Sequence, residues 1–278
     1  MLAAMTAAAD PKTMIAGIFD RGAATYDSVG VDFFGPMGRD LVGHAALAAG
    51  ERVLDLGCGR GAVLMAARAA VGDSGSVAGI DLAAGMVELT RADVERAGWR
   101  NVSVVVGDAE DPPFEPGSFD AILLGLVIFF IPDPVAALRR YAGLLGPGGR
   151  VAFSTFGPSD PTFDAAMKAL GSFVPGPLPD RAGRQGPFTS PQTIVQLLVE
   201  TGYREIETVE RTYESRFRDA EHWLRWVWSH GGRAVLERVP AEAMDAATEA
   251  AFAALEPARA EDGGFVLHSP IRLTRGQV

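Results

Sequence analysis

Three acidic side chains near the ends of apolar segments are the first residues in this chain that could do chemistry. Asp55 lies within "VLDLGCGRG" (53–61), Asp81 ends "GSVAGID", and Asp108 follows "VSVVV". If these segments are strands of one parallel sheet, the three carboxylates share the edge at which open α/β sheets bind ligands. Carboxylates there accept hydrogen bonds from hydroxyl and amino groups and attract cations.

The glycines after Asp55 indicate which ligand could lie against that edge. A glycine turn between a strand and a helix lets a ligand approach the backbone at a helix N-terminus. Dinucleotide sites show G-x-G-x-x-G, whereas Gly57, Gly59 and Gly61 are spaced G-x-G-x-G. The Asp55 carboxylate would also repel a diphosphate and attract an ammonium or sulfonium group. The pattern therefore favours S-adenosylmethionine over NAD.

The elements that must position these residues alternate along the middle of the chain. Strands are predicted at 52–57, 75–81, 102–108, 119–130 and 150–157, and helices at 61–70, 83–98 and 133–149. Apolar strands that alternate with helices predict a parallel sheet covered on both faces. Later strands are predicted at 204–215 and 264–274, with a helical block at 218–260 between them and a Pro/Gly/Arg-rich loop at 175–187.

Composition excludes several classes of function. The net charge of −10 argues against a general nucleic-acid binder, because neutralising phosphates needs a basic face. The longest apolar run, 121–132, is too short to cross a bilayer, so no membrane association is expected. Cys58 is the only cysteine, which excludes an intrachain disulfide and suits a cytoplasmic location.

Five segments resemble, in order, the motifs of the class I S-adenosylmethionine-dependent methyltransferases, in particular the small-molecule, natural-product type. They are "VLDLGCGRG", "VAGID", "GDAEDPPF", "FDAILLGLVIFFIPDP" and "LLGPGGRVAFSTF". The resemblance covers residues 14–157 well and the rest more weakly. It implies a Rossmann-like, doubly wound α/β fold with seven mostly parallel strands, the last antiparallel, and a helical lid.

The same resemblance implies a division of the chain and a set of cofactor contacts. The segments are an N-terminal helical cap (1–50), the cofactor-binding core (51–157), the completion of the sheet (158–217), a lid insertion (218–260) and the final strand (261–278). The backbone at Gly57 and Gly59 would meet the methionine part of the cofactor. The carboxylates of Asp55, Asp81 and Asp108 would hold its ammonium, ribose and adenine amino group.

Further residues would complete the cofactor site by resemblance. Leu82 and Ala109 would flank the adenine, with the Ala109 N–H pairing a ring nitrogen. Leu124 to Leu126, which end the predicted fourth strand, would border both the methionine and the acceptor. Tyr26, in "FDRGAATYD" (19–27), would reach the methionine carboxylate.

Residues for the methyl acceptor are harder to find. Many small-molecule relatives have histidines after the fourth strand, but Phe129 and Phe130 occupy that position here. They suggest an apolar acceptor surface, although core packing is an equal alternative. Trp226 shares a helix face with Trp223 and has the same two interpretations. His230, before Gly231, is the best candidate for a general base.

The sequence thus predicts a methyltransferase acting on a small, rather apolar metabolite, with O-methylation favoured over C- or N-methylation. We expect a monomer or homodimer with no metal site. Three alternatives remain open: a cofactor-binding enzyme of this fold that catalyses cyclisation or elimination, an NAD-dependent oxidoreductase, and a non-catalytic cofactor-binding subunit.

Overall fold

A computed structural model describes residues 10–177 and 186–278 of the chain. Its centre is a seven-stranded sheet in the order β3-β2-β1-β4-β5-β7-β6. The strands are Arg52–Leu56 (β1), Ser76–Asp81 (β2), Val102–Val106 (β3), Phe119–Leu124 (β4), Leu145–Phe156 (β5), Arg204–Phe217 (β6) and Phe265–Gln277 (β7). Only β7 runs antiparallel to its neighbours, β5 and β6. The predicted Rossmann-like fold with an antiparallel last strand is confirmed.

Helices cover both faces of this sheet. In the described residues they are Pro11–Gly22 (α1), Phe34–Ala45 (α2), Ala62–Val71 (α3), Ala84–Arg96 (α4), Pro134–Leu144 (α5), Pro161–Gly171 (α6), Pro191–Glu200 (α7), Ala220–Ser229 (α8), Arg233–Leu236 (α9) and Met244–Leu255 (α10). None of these described helices has the length and apolar character needed to cross a membrane.

Strand β1 shows why the central strands must be apolar. Leu54 and Leu56 belong to the core on the side of α5 and α7, and Val53 belongs to the core on the opposite side. All three are completely buried, because helices cover both faces. Asp55 faces the same side as Val53, since alternate strand residues face opposite ways. It is therefore an acid within an otherwise apolar strand.

The boundaries of the fourth and fifth strands differ from the prediction. The fourth strand ends at Leu124 instead of running to 130, because Leu126 has a left-handed backbone (φ +56°) and Ile128–Phe130 forms a 3₁₀ turn. The fifth strand begins at Leu145, so the preceding helix is shorter than expected. Most of the predicted loop at 175–187 lies outside the described residues.

The N-terminal helices and the block at 218–260 meet above the carboxyl ends of the strands. Asp20 on α1 accepts the Gly85 N–H of α4 at 2.7 Å. Arg21, also on α1, is paired with Glu237 at the end of α9, with Nε 2.7 Å from the carboxylate. Two segments far apart in sequence thereby cover one edge of the sheet.

Candidate active site

The turn between β1 and α3 has the backbone shape that its glycines predict. Gly57, Gly59 and Gly61 all have positive φ angles, from +50° to +85°. A Cβ on Gly57 would lie 2.5 Å from a methyl carbon of Val127, whereas a Cβ on Gly59 would meet no atom within 4 Å. The turn therefore packs closely at Gly57 and leaves the backbone at Gly59 open to a ligand.

Asp81 joins this turn to the end of β2. Its carboxylate accepts the Gly59 N–H and the Ala83 N–H, each at 2.8 Å. Burial raises the pKa of Asp81, and these two backbone donors oppose the rise. Each carboxylate oxygen can accept a further hydrogen bond, so both hydroxyls of a ribose could be held there.

Asp55 lies at the floor of the site and is only 1% exposed. No donor in the described parts of the chain makes a hydrogen bond to either carboxylate oxygen. Burial, and then the charge of Asp81, raise the pKa of Asp55 to about 8. A buried acid without a donor is stabilised by an incoming cation, so Asp55 fits the ammonium group of S-adenosylmethionine.

The loop after β3 provides the adenine end of the site. One Asp108 oxygen accepts the Glu110 N–H at 2.9 Å, and the other accepts from Lys12 Nζ of α1 at 2.7 Å. Lys12 also pairs with Glu110. Leu82, directly after β2, is 37% exposed, and Val106, at the end of β3, is 54% exposed. Together they offer an apolar surface to an adenine ring. The predicted positions of Asp108 and Leu82 are thus compatible with an adenine site.

A small enclosed cavity lies between the glycine turn and the N-terminal cap. Its volume is about 40 Å³, and its lining includes Tyr26, Phe34, Asp55, Gly57, Gly59 and Gly125. The rings of Tyr26 and Phe34 stack with centroids 4.6 Å apart and cover it. The glycine turn, Asp55 and the two stacked rings thus surround one small space.

Leu124 does not border this cavity as expected. Its side chain is completely buried in the core on the α5 side of the sheet. The next residue, Gly125, lines the cavity instead, because β4 ends there and the chain turns. Within the predicted stretch 124–126, Gly125 and not Leu124 therefore borders the cavity.

A group of aromatic rings continues from the cavity across the same edge. We call it the ring group; its members are Phe19, Tyr26, Phe34, Phe129, Phe130 and His230. Phe130 contacts Phe129 (4.7 Å between centroids) and Phe19 (5.9 Å). Phe19 contacts Tyr26 at 6.2 Å, and Phe34 contacts His230 at 6.5 Å. All six side chains are partly exposed, so together they offer an aromatic surface at the carboxyl ends of the strands.

Phe19 and Phe34 were not selected as site residues from the sequence. Phe19 lies in the segment "FDRGAATYD", which the resemblance places over the cofactor. That placement was the one available signal for Phe19. Phe34 begins α2, and its position at the site depends on the close approach of α2 to α3 at Gly38. A Cβ on Gly38 would lie only 2.5 Å from the Ala62 carbonyl oxygen. This close approach of α2 to α3 depends on tertiary packing.

Trp226 supports the ring group from behind. It is only 7% exposed and packs against Phe33, Phe163 and Phe217. Its centroid lies 4.3 Å from that of His230. The expected acceptor contact of Trp226 is therefore replaced by core packing, the alternative that the sequence left open.

His230 lies at the end of α8, beside the rings of Trp226 and Phe34. Its Nδ1 accepts the Gly232 N–H at 3.1 Å. A neutral imidazole with that bond carries its proton on Nε2, and this atom is buried in the structure. Acting as a base through Nδ1 would require the bond to Gly232 to break.

A wider, open cleft of about 730 Å³ lies to one side, between residues 28–30, the end of β6 and residues 262–264. Its lining includes Arg216, Arg218 and His222. His222 uses both ring nitrogens within the protein, towards the Val29 carbonyl (2.7 Å) and the Arg218 N–H (3.2 Å). Neither the glycine turn nor the strand-end acids line this cleft, so it is not the cofactor site.

Comparison with known proteins agrees with this geometry. Residues 53–149 match a family model described as a methyltransferase domain. Over 237 residues the chain is 36% identical to nocamycin O-methyltransferase of Saccharothrix syringae, covering 80% of this chain and 84% of that protein. The chain belongs to the S-adenosylmethionine-dependent methyltransferases.

Two further relatives extend this comparison. The methyltransferase is 49% identical over 144 residues to aklanonic acid methyltransferase DauC of Streptomyces sp. (strain C5), covering 52% of this chain and 66% of that protein. It shares its fold with phosphoethanolamine N-methyltransferase 2 of Haemonchus contortus, solved with S-adenosyl-L-methionine (TM-score 0.61, 19% identity, 97% of this chain and 60% of that chain). The cofactor of this methyltransferase is S-adenosylmethionine, and the relatives favour methyl transfer over NAD-dependent oxidation.

Proposed function

We propose that this methyltransferase acts on an oxygen of a small metabolite that has an apolar, aromatic surface. The observation that carries the proposal is the continuity between the ring group and the cofactor cavity, because Tyr26 and Phe34 belong to both. A flat aromatic molecule placed on those rings would lie next to the methionine part of the cofactor. The name of the relative from Saccharothrix syringae also specifies O-methylation.

The chain's own residues position the reactants and exclude water. When bound, S-adenosylmethionine supplies an electrophilic methyl group on a sulfonium. Asp55 and Asp81 fix the amino-acid and ribose ends of the cofactor, and the ring group orients the acceptor. Holding reacting groups at near-attack distance supplies much of the rate of a displacement reaction. We propose that α1 and the helices of 218–260 act as the lid over this site.

The state of His230 favours acceptors that ionise without help. With Nδ1 engaged by the Gly232 N–H, the neutral ring has no basic nitrogen ready to take a proton from an acceptor. Oxygens that are already anionic at neutral pH, such as carboxylates and acidic enols, need no general base. DauC is named for its action on an acid. We therefore expect acidic oxygens to be preferred over aliphatic hydroxyls.

A panel of matched acceptors tests the proposal. The purified enzyme is incubated with S-adenosylmethionine and an aromatic carboxylic acid, the matching phenol, the matching benzylic alcohol and the matching arylamine. Mass spectrometry follows the methylated product and the spent cofactor. We expect O-methyl products in step with S-adenosylhomocysteine, fastest for the acid. Products methylated only on nitrogen or carbon, or an isomerised acceptor with no spent cofactor, would contradict the proposal.

A further inference from the structure

A buried tyrosine lies directly beneath the adenine end of the site. Tyr141 on α5 is completely buried, and its hydroxyl donates to the Ala109 carbonyl oxygen at 2.6 Å. Burial raises the pKa of this hydroxyl, so it stays protonated and remains a donor. The bond connects the core helix α5 to the loop that bears Asp108.

One peptide unit links the Tyr141 hydroxyl to the side chain of Asp108. The Ala109 carbonyl and the Glu110 N–H belong to the same planar group. Tyr141 holds its oxygen, and its N–H donates to an Asp108 carboxylate oxygen at 2.9 Å. Since the peptide plane is rigid, fixing its oxygen also fixes the direction in which its N–H holds the carboxylate.

The loop then presents a defined pattern of donors and acceptors. Asp108 supplies an acceptor, and no hydrogen bond within residues 10–177 and 186–278 uses the Ala109 N–H. An acceptor beside a free N–H complements the amino group and ring nitrogen of adenine. A 6-oxopurine has the reverse pattern, an oxygen acceptor beside a ring N–H donor, and would be rejected.

We propose that Tyr141 is a positioning residue that sets the selectivity of the cofactor site for adenine by orienting Asp108 through the 109–110 peptide. It does not touch the cofactor itself. The proposal concerns cofactor recognition and is independent of the acceptor and of the atom that is methylated.

Tyr203 provides a matched control. It is 3% exposed, and its hydroxyl donates to the Leu138 carbonyl of the same helix, α5, at 2.8 Å. Tyr203→Phe and Tyr141→Phe therefore each delete a hydroxyl that makes one hydrogen bond to a backbone carbonyl, and both bonds involve helix α5. Only Tyr141 is bonded to the adenine loop, so a difference between the two variants reports on positioning beyond general stability.

The test measures binding by calorimetry, without any acceptor. Wild type and both variants are titrated with S-adenosylhomocysteine and with its 6-oxo analogue, S-inosylhomocysteine, and their thermal midpoints are recorded. Sucrose is added because it favours the folded state and keeps both variants measurable. We expect wild type to prefer the adenine compound by about 10- to 100-fold, the range for a hydrogen bond to a charged group.

For Tyr141→Phe we expect binding of S-adenosylhomocysteine to weaken by about 5- to 10-fold and the preference for adenine to fall by a similar factor. For Tyr203→Phe we expect a lower thermal midpoint with the wild-type preference retained. An unchanged preference in Tyr141→Phe, or an equal loss in Tyr203→Phe, would overturn the proposal.

Discussion

The two halves of the active-site cleft are built in different ways. The cofactor half consists of strand ends and short loops, where acids and backbone N–H groups bond to near neighbours. Asp81, for example, holds the Gly59 and Ala83 N–H groups. The acceptor half consists of aromatic rings that come from α1, α2, the 3₁₀ turn after β4 and the end of α8.

The cofactor half would therefore bind its ligand through charges in fixed positions, whereas the acceptor half would bind through an apolar surface that can adapt. Acids at strand ends have fixed directions and select one cofactor. Rings packed at centroid distances of about 4 to 7 Å can shift against one another and accept related flat molecules. The same fold can therefore retain one cofactor while its acceptor changes.

The largest effect is expected from removing the carboxylate that links the glycine turn to the ribose position. Asp81→Ala should weaken S-adenosylhomocysteine binding by about 100-fold or more, because a charged acceptor and the anchor of Gly59 are lost together. Calorimetry measures this directly. Asp120→Ala is the control, since Asp120 bonds Arg52 at the opposite edge of the sheet. Equal losses in both variants would mean that Asp81 acts only through stability.

A pair of glycine substitutions separates ligand approach from packing. Gly59→Ala places a methyl group in open space, so we expect about 10-fold weaker cofactor binding with a small stability loss. Gly57→Ala drives its Cβ against Val127, so we expect a stability loss of about 2–4 kcal/mol. Denaturant unfolding and calorimetry measure both quantities. The reverse pattern would show that Gly57, and not Gly59, faces the ligand.

The cofactor half could be predicted from the sequence because its signals are local. The spacing of glycines and the acids at strand ends follow from chain geometry, and the structure places Asp55, Asp81 and Asp108 at one edge. The fourth strand was predicted too long because the left-handed backbone at Leu126, which a non-glycine residue seldom adopts, ends the strand early.

The acceptor half depends on tertiary contacts that no local pattern encodes. Phe34 lies at the site because α2 and α3 approach closely at Gly38. Trp226 lies in the core instead, because it packs against three rings that are distant in sequence. The bond from Gly232 to His230 Nδ1 likewise depends on how the chain turns after α8. The sequence identified Tyr26, Phe129, Phe130 and His230 as site candidates, but it did not predict the contacts that bring them together.

Two replacements of His230 distinguish a donor from a base. In His230→Gln the amide nitrogen lies near the place of Nε2 and can still donate, whereas in His230→Asn it lies near the place of Nδ1. If an acceptor reaches Nε2 and is oriented by it, kcat should fall by about 10-fold in the Asn variant and clearly less in the Gln variant. Equal loss in both, together with loss of a titrating limb from the pH profile, would show that His230 is a base.

The smallest effect is expected within the ring group. Phe130→Leu keeps an apolar side chain but removes the contacts with Phe19 and Phe129. We expect KM for an aromatic acceptor to rise by about 3- to 10-fold, with the affinity for S-adenosylhomocysteine unchanged. Steady-state kinetics measures KM for the acceptor, and calorimetry measures the affinity for S-adenosylhomocysteine. A change in cofactor affinity alone would place Phe130 on the cofactor side.

The most direct test counts the protons that leave when the cofactor binds. The raised pKa of Asp55, about 8, means that the free protein holds this carboxyl largely protonated at pH 7. A bound ammonium favours the ionised form, so binding should release a proton below pH 8, and affinity should rise with pH up to about that value. Calorimetry of S-adenosylhomocysteine in buffers of different ionisation enthalpy should show close to one proton released at pH 7, and almost none in Asp55→Asn. No proton release from the wild type, or tight binding of NAD instead, would contradict a site built around a cationic amino acid.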